Sequence, residues 1–415
     1  MPSSKPPQWK VLALLLLATQ SLWACKNIRS SPEEFTPDPG GTPESGASAT
    51  SPSPERPSPV LPGARVLLED SLHLVRGRRV GLLTNHTGIV PPAREMPSSA
   101  GGAGGEQSRP EAPRATADLL REHPEVELVA LFGPEHGIRG AAEAGEEVES
   151  GVDPVTGLPV HSLYGASRRP APETLEGLEV LVFDIQDVGA RYYTYVWTMA
   201  LAMEAAGRAD LSFVVLDRVD PLGGLRVQGN VLDTAFASFV GLHPVAMRHG
   251  MTPGELARLL VGEFGVAVEL HVVPVRGWRR ALWFDETGLP WVAPSPNMPS
   301  LESAAHYPGT CLFEGTNLSV GRGTPRPFQW IGAPWLDGGR LAERLNARDL
   351  PGVRFEAARF TPESPGDGKF PGVEVEGIRF VLADRDAYDP TVAAVAALVE
   401  ARRLSGDRWS WRQEH

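Results

Sequence analysis

Cysteine is nearly absent from this sequence. Its 415 residues include only two, Cys25 and Cys311, so a framework of several disulfides is excluded as the basis of the fold. The apolar neighbour Leu312 favours a buried thiol over a nucleophile at Cys311. The fold must therefore depend on an apolar core, for which 42% hydrophobic residues provide the material.

An excess of basic residues is also lacking. The chain carries 39 Lys and Arg against 51 Asp and Glu, and it shows no basic stripe, which argues against nucleic acid as a partner. Three catalytic signatures are missing as well: a Gly-x-Gly-x-x-Gly turn after the first strand, a Gly-x-Ser-x-Gly elbow and a His-Glu-x-x-His zinc motif. We therefore expect no cofactor.

The N-terminal residues have the pattern of an export signal. Lys5 and Lys10 precede an apolar run, 11–18, that is too short to span a bilayer as a mature helix. The following Leu22-Trp23-Ala24-Cys25 resembles a bacterial lipobox. We expect a signal peptide over 1–25 and a cell-envelope lipoprotein anchored to the membrane through Cys25, with secretion as the alternative. Residues 26–62 are rich in Pro and Ser, which predicts a disordered tether.

Short apolar runs alternate with helical periodicity between residues 63 and 288. This alternation predicts a Rossmann-like α/β domain with a doubly wound, mostly parallel sheet. A low-complexity stretch at 91–115 is typical of a flexible surface insertion. The predicted strands are 79–84, 128–132, 180–184, 213–217 and 268–273, and the predicted helices are 116–122, 193–206 and 252–264, the last capped by Thr252 with Glu255.

A smaller α+β domain is predicted for residues 289–415. Proline- and glycine-rich loops come first, followed by helical patterns at 336–345 and 391–402 and strand patterns at 353–360 and 373–380. We expect the loop 313–327 to face the first domain and to complete its cleft.

Polar motifs follow four of the predicted strands, at the point where each strand ends. Ligands of doubly wound sheets bind beyond the carboxyl ends of the strands. We therefore expect all four motifs to meet in one crevice. They are Thr84-Asn85-His86-Thr87-Gly88, Gly133-Pro134-Glu135-His136-Gly137, Asp184-Ile185-Gln186-Asp187 and Asp217-Arg218.

The carboxylates of these motifs favour the hydrolysis of a glycoside. That reaction needs one carboxyl group to protonate the leaving oxygen and a second group to attack, to activate water or to stabilise charge. Glu135 is the predicted acid, because it comes directly after an apolar strand. Asp184 and Asp187 can supply the second carboxylate or hold Arg191. Helix capping and structural salt bridges are the alternative roles for all three carboxylates.

Polar and aromatic residues of the same loops form the predicted substrate-binding set. Arginine forks suit a carboxylate, and aromatic faces suit a sugar ring, although helix packing is the expected role of Tyr192. A divalent metal held by His86, His136 and the aspartates is disfavoured by the spacing, so no metal is expected. The set is Asn85, His86, His136, Arg139, Gln186, Arg191, Tyr193, Tyr195, Asp217, His249, Asn297, Glu314, Asn317 and Arg322.

Taken together and in order, the motifs resemble the exo-β-N-acetylmuramidase family, long known only as a domain of unknown function. Any one of them alone would be a weak signal. The motifs are Phe132-Gly133-Pro134-Glu135-His136-Gly137, Phe183-Asp184-Ile185-Gln186-Asp187-Val188-Gly189, Arg191 with Tyr193-Thr194-Tyr195, His249-Gly250-Met251-Thr252, Leu312-Phe313-Glu314-Gly315-Thr316-Asn317 and Gly321-Arg322-Gly323-Thr324.

This resemblance implies a specific reaction, with Glu135 as the catalytic carboxyl. Members remove terminal β-1,4-linked N-acetylmuramic acid from the non-reducing end of peptidoglycan fragments, without a metal. Muropeptides or disaccharides derived from peptidoglycan are then the expected partners. The sugar carries a lactyl carboxylate that an arginine can bind, and we assign this role to Arg191 or Arg322 as a hypothesis.

The sequence departs from the family pattern at two places. Members usually read Asp-Arg-Pro-Asn-Pro at Asp217-Arg218-Val219-Asp220-Pro221, and Val-Glu-Gly-Pro at Val227-Gln228-Gly229-Asn230. If that glutamate is the second catalytic carboxylate, Gln228 removes it and leaves Asp184, Asp187 or Glu314 to replace it. One alternative is therefore a catalytically weak or inactive peptidoglycan-binding lipoprotein. Another is a metal-dependent deacetylase or amidase acting on the same polymer.

Overall fold

The computed structural model describes residues 59–92, 112–140, 150–165 and 167–412. Cys25, most of the predicted tether and most of the predicted insertion lie outside these residues. The strands are β1 (Arg79–Thr84), β2 (Ile89–Val90), β3 (Arg114–Ala115), β4 (Glu127–Gly133), β5 (Gly151–Val152), β6 (Pro159–Ser162), β7 (Val180–Asp184), β8 (Ser212–Leu216), β9 (Gln228–Val231), β10 (Ala246–Arg248), β11 (Glu269–Val273), β12 (Trp330–Ala333), β13 (Val353–Phe360) and β14 (Val375–Leu382).

Helices cover both faces of the main sheet and pack around a second, smaller one. None of the helices in the described residues is long and apolar enough to cross a bilayer. The α-helices are α1 (Gly63–Val66), α2 (Thr116–Glu122), α3 (Pro172–Leu175), α4 (Tyr195–Arg208), α5 (Pro253–Gly262), α6 (Leu301–Thr310), α7 (Gly338–Asn346) and α8 (Pro390–Ser405). A π-helical turn covers Leu67–Ser71, and 3₁₀ turns cover Leu72–Leu74, Thr234–Phe236, Phe284–Glu286, Cys311–Gly315 and Gly406–Arg408.

The larger sheet has the strand order β11-β8-β7-β1-β4-β6-β5. Every neighbouring pair is parallel except β5 with β6. From β6 to β11 this is the strand order of a Rossmann fold, in which the direction of winding reverses between β1 and β7. The predicted doubly wound, mostly parallel sheet is confirmed.

The residues of β7 alternate between two apolar clusters, one on each face of the sheet. Leu181 and Phe183 belong to a cluster that contains residues of α4 and α5, and Val180 and Val182 belong to one that contains residues of α1 and α2. Successive side chains of a strand point to opposite faces. Because helices cover both faces, every residue of β7 is buried and the strand is apolar up to its last residue, Asp184.

Helix α5 begins with the capping box that the sequence predicts. The Thr252 hydroxyl accepts a hydrogen bond from the Glu255 N–H at 3.2 Å, and the Glu255 carboxylate accepts one from the Thr252 N–H at 3.0 Å. The Asp217 carboxylate, which follows β8, accepts further bonds from the Thr252 hydroxyl and the Gly254 N–H. These bonds satisfy N–H groups at the start of the helix and fix α5 to the end of β8.

A three-stranded antiparallel sheet, β12-β14-β13, forms the centre of the smaller C-terminal domain. Its core contains residues of α6, α7 and α8. Val188, Ala190 and Leu222, which precede this domain in the chain, pack in the same core. The predicted α+β character is confirmed, while the boundary at 288 and 289 stays a prediction.

Several elements differ from the sequence-based expectation. The antiparallel pair of β9 and β10 was not predicted, and neither was α6, which contains Pro308 and Gly309, residues that usually end a helix. Gly309 is needed where α8 approaches, because a Cβ atom there would collide with the Pro390 carbonyl. Residues Arg114–Ala115, at the end of the predicted insertion, form β3 and pair with β2.

Candidate active site

A cleft of about 740 Å³ lies between the end of β4 and the loops of the C-terminal domain. Its size is typical of small-molecule sites, which span ~300–1,000 Å³. The first domain contributes Glu135, Tyr164, Tyr192, Thr194 and Val240, and the later part of the chain contributes Tyr307, Cys311, Leu312, Glu314, Gly315, Arg322, Gly366, Asp367 and Arg412. From the loop 313–327, Glu314, Gly315 and Arg322 line this cleft.

Glu135 lies in a tight turn directly after β4. The Gly137 N–H donates to the Pro134 carbonyl at 2.9 Å, and His136 and Gly137 have left-handed φ angles of 70° and 69°. Left-handed backbone is uncommon for a residue other than glycine, and such residues cluster at functional sites. The turn places Glu135 in the cleft wall while His136 is buried beside it.

Two hydroxyl-bearing side chains of the cleft wall interact with the Glu135 carboxyl. The Thr194 hydroxyl donates to Oε2 at 3.1 Å. Burial, and then the proximity of Glu135, raises the pKa of Tyr164 to about 12. The phenol is therefore protonated at neutral pH and able to donate a hydrogen bond to the carboxyl.

Two further carboxylates line the cleft, both from the C-terminal domain. Glu314 accepts a charged hydrogen bond from Arg322, with Nε and Nη2 at 2.7 and 2.6 Å from Oε1. Asp367 has the Lys369 ammonium 3.6 Å from Oδ2. Sequence reasoning found Glu314 and Arg322 through their motifs but missed Asp367, which follows an irregular loop with no comparable motif.

Cys311 lies in the cleft wall beside Glu314. Its thiol donates to the Glu314 carboxylate at 3.4 Å, and burial raises the pKa of the thiol well above its usual value. A thiolate is the reactive form of cysteine. The geometry therefore fits the predicted unreactive thiol, although its residue is only partly buried.

The ends of β1, β7 and β8 form a closed polar network outside the cleft wall. The Arg218 guanidinium donates to both oxygens of Asp184 at 2.6 and 2.9 Å, and the Asp184 side chain is fully buried. The Thr84 hydroxyl donates to the Asp184 carbonyl at 2.8 Å, and Gly88 packs so closely against both residues that a Cβ atom has no room. Arg218, not Arg191, is thus the partner of Asp184.

Only the β4 motif lines the large cleft, so the expected meeting of all four motifs in one crevice is wrong. Thr87, Gln186 and Arg218 instead line a separate cavity of about 20 Å³. That volume is of the order needed for a single water. The loops after β1 and β7 pack against each other, since the Gln186 N–H donates to the Thr87 hydroxyl at 2.9 Å.

Asp187 and His249 form a buried pair away from the cleft wall. The His249 Nε2 atom lies 3.3 Å from Asp187 Oδ2, which also accepts from the Gly189 N–H at 2.8 Å. Burial lowers the pKa of His249, but the hydrogen bond and charge of Asp187 together with the charge of Asp220 outweigh it, so the net change is upward. Nearby, burial raises the pKa of Asp220 to about 6.

Two of the predicted arginines bind other groups of the protein. Arg191 Nη1 donates to the carbonyls of Asn230 and Val245 at 2.8 and 2.6 Å. Arg139 pairs with Asp118 and Asp153. Neither lines the cleft, whereas Arg322 does. Of the predicted arginines, only Arg322 therefore remains a candidate for substrate binding in this cleft.

The positions of the tyrosines after Arg191 are the reverse of those expected, which were packing for Tyr192 and substrate binding for Tyr193 and Tyr195. Tyr192 lines the cleft, while Tyr195 is 1% exposed and donates its hydroxyl to the Pro294 carbonyl at 2.7 Å. Tyr193 packs edge-on between Tyr195 and Tyr307, with ring centroids 5.0 and 5.8 Å away. Of these three tyrosines, Tyr192 is therefore the one whose ring a ligand in the cleft can contact.

The other predicted binding residues also lie outside the cleft wall. His86 Nε2 is 2.8 Å from the Ala293 carbonyl, and burial lowers its pKa. The Gln186 amide donates to the carbonyls of Asp187 and Val219, and Asn317 binds the backbone of residues 408 and 410. Asn85, His136, Asp217 and Asn297 are buried.

Gln228 bridges the two domains and does not line the cleft. Its Oε1 atom accepts from Arg248 Nη1 at 2.9 Å, and its Nε2 atom donates to the Tyr388 carbonyl at 3.0 Å. The carboxylates that line the cleft are those of Glu135, Glu314 and Asp367.

Potential metal ligands are not clustered in the part of the chain that the structure describes. No group of three or more His, Cys, Asp and Glu side chains is arranged there to hold an ion. His86 and His136, which the disfavoured metal hypothesis combined with the aspartates, do not form such a group.

Two family descriptions match most of the chain. "Exo-beta-N-acetylmuramidase NamZ, N-terminal" matches residues 80–302, and the corresponding C-terminal description matches residues 305–415. With the carboxylate-lined cleft between the two domains, these matches define a glycoside hydrolase. The chain belongs to the exo-β-N-acetylmuramidase family.

Individual relatives agree with this assignment. The chain is 45% identical over 339 residues to the peptidoglycan β-N-acetylmuramidase NamZ of Bacillus subtilis strain 168, covering 82% of this chain and 76% of the relative. Two crystal structures of DUF1343 family proteins from Bacteroides fragilis have the same fold. One is 38% identical with a TM-score of 0.74, covering 84% of each chain. The other is 29% identical with a TM-score of 0.63, covering 86% of each chain.

Proposed function

We propose that this protein removes terminal β-1,4-linked N-acetylmuramic acid from the non-reducing end of peptidoglycan fragments. The name of the Bacillus subtilis relative supports the substrate class. The observation that carries the proposal for this chain is the cleft in which Glu135 lies with Glu314 and Arg322.

In this proposal Glu135 is the general acid that protonates the leaving oxygen. The Thr194 hydroxyl, bonded to Oε2, fixes the orientation of the carboxyl, and the protonated Tyr164 phenol lies beside it. A correctly placed acid contributes about 10²–10⁴-fold to the rate of such a reaction. Orientation by neighbours matters because the acid must lie within hydrogen-bond reach of the leaving oxygen.

Glu314 is the proposed second carboxylate. Of the three residues that the sequence offered for this role, Asp184 is bound by Arg218 and Asp187 is buried beside His249, whereas Glu314 lines the cleft. Arg322 holds Glu314 Oε1 through two donors. The carboxylate is thereby kept in one position while it stabilises the positive charge that develops on the sugar.

The proposal is tested with two chromogenic substrates. The purified protein should release the chromophore from a β-glycoside of N-acetylmuramic acid and much less from the N-acetylglucosamine equivalent, both with and without EDTA. Release from neither compound overturns the proposal. Activity that EDTA abolishes would support the metal-dependent alternative.

The same assay distinguishes the proposed enzyme from an inactive peptidoglycan-binding protein, because the latter would bind the sugar without turnover. Gln228 is the feature of the sequence that favours this alternative. Its bonds to Arg248 and the Tyr388 carbonyl place it outside the cleft wall, so that support is lost.

Export and lipidation at Cys25 are part of the proposed function. Their support is the sequence Leu22-Trp23-Ala24-Cys25 together with a polymer substrate located outside the cytoplasm. Metabolic labelling with an alkyne fatty acid should mark the wild-type chain, and Cys25→Ser should abolish the label. An unlabelled wild-type protein in the culture medium would indicate secretion instead.

A further inference from the structure

The C-terminal tail, defined as residues 406–412, is attached along the segment 315–317, of which Gly315 lines the cleft. The Arg412 N–H donates to the Gly315 carbonyl at 2.9 Å, and Trp411 forms a β-bridge with Thr316. The Asn317 amide donates to the Arg408 carbonyl at 2.8 Å and accepts from the Ser410 N–H at 3.1 Å. These bonds fix the path of the tail.

The tail places the side chain of Arg412 in the cleft wall. Its Nη1 atom donates to the main-chain carbonyl of Asp367 at 3.3 Å. Among the described residues, its guanidinium forms no ion pair with a carboxylate. The tail therefore adds a positive charge to the cleft wall, which also contains the carboxylate of Asp367.

Two other cations near the cleft, Arg322 and Lys369, already have acidic partners. Arg322 binds Glu314 and lies over the ring of Phe328, 5.2 Å from its centroid. The Lys369 ammonium lies 3.6 Å from Asp367 and donates to the carbonyls of Phe313 and Glu314. Arginine is suited to a substrate carboxylate because its fork of N–H groups matches the two oxygens.

We propose that Arg412 binds the lactyl carboxylate of the sugar and makes the cleft selective for an anionic over a neutral N-acetylhexosamine. This inference rests on the proposed function, since it requires N-acetylmuramic acid in the cleft. It replaces the sequence-based candidates Arg191 and Arg322, whose guanidinium groups bind backbone carbonyls and Glu314. Asn317 is then a positioning residue that holds the tail.

Product binding tests the inference without turnover. N-acetylmuramic acid, its methyl ester and N-acetylglucosamine are titrated into the purified protein by calorimetry. Loss of a charge-assisted hydrogen bond in Arg412→Gln should weaken the binding of N-acetylmuramic acid by about 10- to 100-fold. Binding of the ester and of N-acetylglucosamine should change by less than about twofold, because neither carries the carboxylate.

The matched control is Arg408→Gln, which removes an exposed arginine from the same tail. Its guanidinium does not line the cleft and contacts the Ser405 carbonyl, so the preference for N-acetylmuramic acid should be unchanged. Asn317→Ala should reduce that preference in the wild-type background and not in Arg412→Gln, since a residue that acts only through Arg412 has nothing left to position.

Two results would overturn the inference: Arg412→Gln that weakens all three sugars equally, or that weakens none. The proposed function can fail separately. A wild-type protein that cleaves no muramic acid glycoside but binds the free sugar in an Arg412-dependent manner supports the inference and overturns the function. Cleavage with a preference independent of Arg412 supports the function and overturns the inference, and a wild type that binds no sugar overturns both.

Discussion

Two regions at the same edge of the sheet hold similar polar residues and differ in what those residues bind. After β7 and β8, Asp184, Arg218 and Asp217 are buried and bind one another or the start of α5. After β4, Glu135 faces a cleft whose opposite wall comes from the C-terminal domain. The ends of the strands thus indicate where polar residues are concentrated. The hydrogen bonds of each residue then show whether it stabilises the fold or is available to a ligand.

The largest expected difference between the regions is in stability. Asp184→Asn leaves the buried Arg218 guanidinium without its carboxylate, which should lower the free energy of unfolding by about 3–5 kcal/mol in urea denaturation. The control Glu127→Gln breaks an ion pair with Arg79 that is half exposed, and should cost less than about 1 kcal/mol. Unchanged stability with lost turnover would place Asp184 in the chemistry instead.

Glu135→Gln should show the reverse behaviour. Removing the proposed general acid should lower turnover of the muramic acid glycoside by about 100-fold or more, while the midpoint of thermal unfolding stays close to that of the wild type. Glu127→Gln again serves as the matched substitution and should retain full turnover. Wild-type rates in Glu135→Gln would show that another carboxyl is the acid.

Asp217 should make the fold less stable as the pH rises. Burial raises its pKa to about 6, against ~3.9 in the unfolded chain. Its stabilising contribution is complete below about pH 4 and is lost as the pH rises through 6, because the unfolded chain releases its proton first. A shift of about two units corresponds to about 3 kcal/mol.

Asp217→Asn should remove this pH dependence, because an amide does not titrate in this range. The amide can still form hydrogen bonds with the groups around it. Urea denaturation at pH 4 and pH 7 should therefore show a larger loss on raising the pH for the wild type than for Asp217→Asn. The control Asp386→Asn changes an exposed carboxylate and should follow the wild type. Parallel behaviour of all three proteins would contradict the raised pKa.

The smallest effect is expected at Gln228. A glutamate there keeps the bond from Arg248 and loses the one to the Tyr388 carbonyl, which should cost about 1 kcal/mol of stability. Because Gln228 lies outside the cleft wall, kcat/KM of Gln228→Glu should stay within about threefold of the wild type. A tenfold gain would show that a carboxylate at this position takes part in the reaction.

Much of the fold could be predicted because its signals are local. The apolar run at β7, the capping box of α5 and the alternating pattern of β13 were placed within a residue of their observed bounds. Helix α6 was missed because Pro308 and Gly309 are weak helix formers. Packing against α8 stabilises that helix, and no local pattern reports such packing.

The candidate site was only partly predictable. Glu135, Glu314 and Arg322 belong to motifs, whereas Tyr164, Asp367 and Arg412 come from segments without one and reach the cleft through tertiary packing. Several predicted catalytic and binding residues do not line the cleft for the same reason. Asp184, Arg191 and Asn317 are polar residues in loops, and only the structure shows that their partners are other parts of the protein.

The attachment of the tail at Gly315 also has a consequence for folding. Contacts between residues far apart in sequence must overcome the entropy of closing a long loop, and the cleft joins Glu135 to Arg412. During refolding, the environment of Trp197, buried within the first domain, should become native before the preference for N-acetylmuramic acid returns. The return of the proposed selectivity for N-acetylmuramic acid would then mark the attachment of the C-terminal tail as the last step of folding.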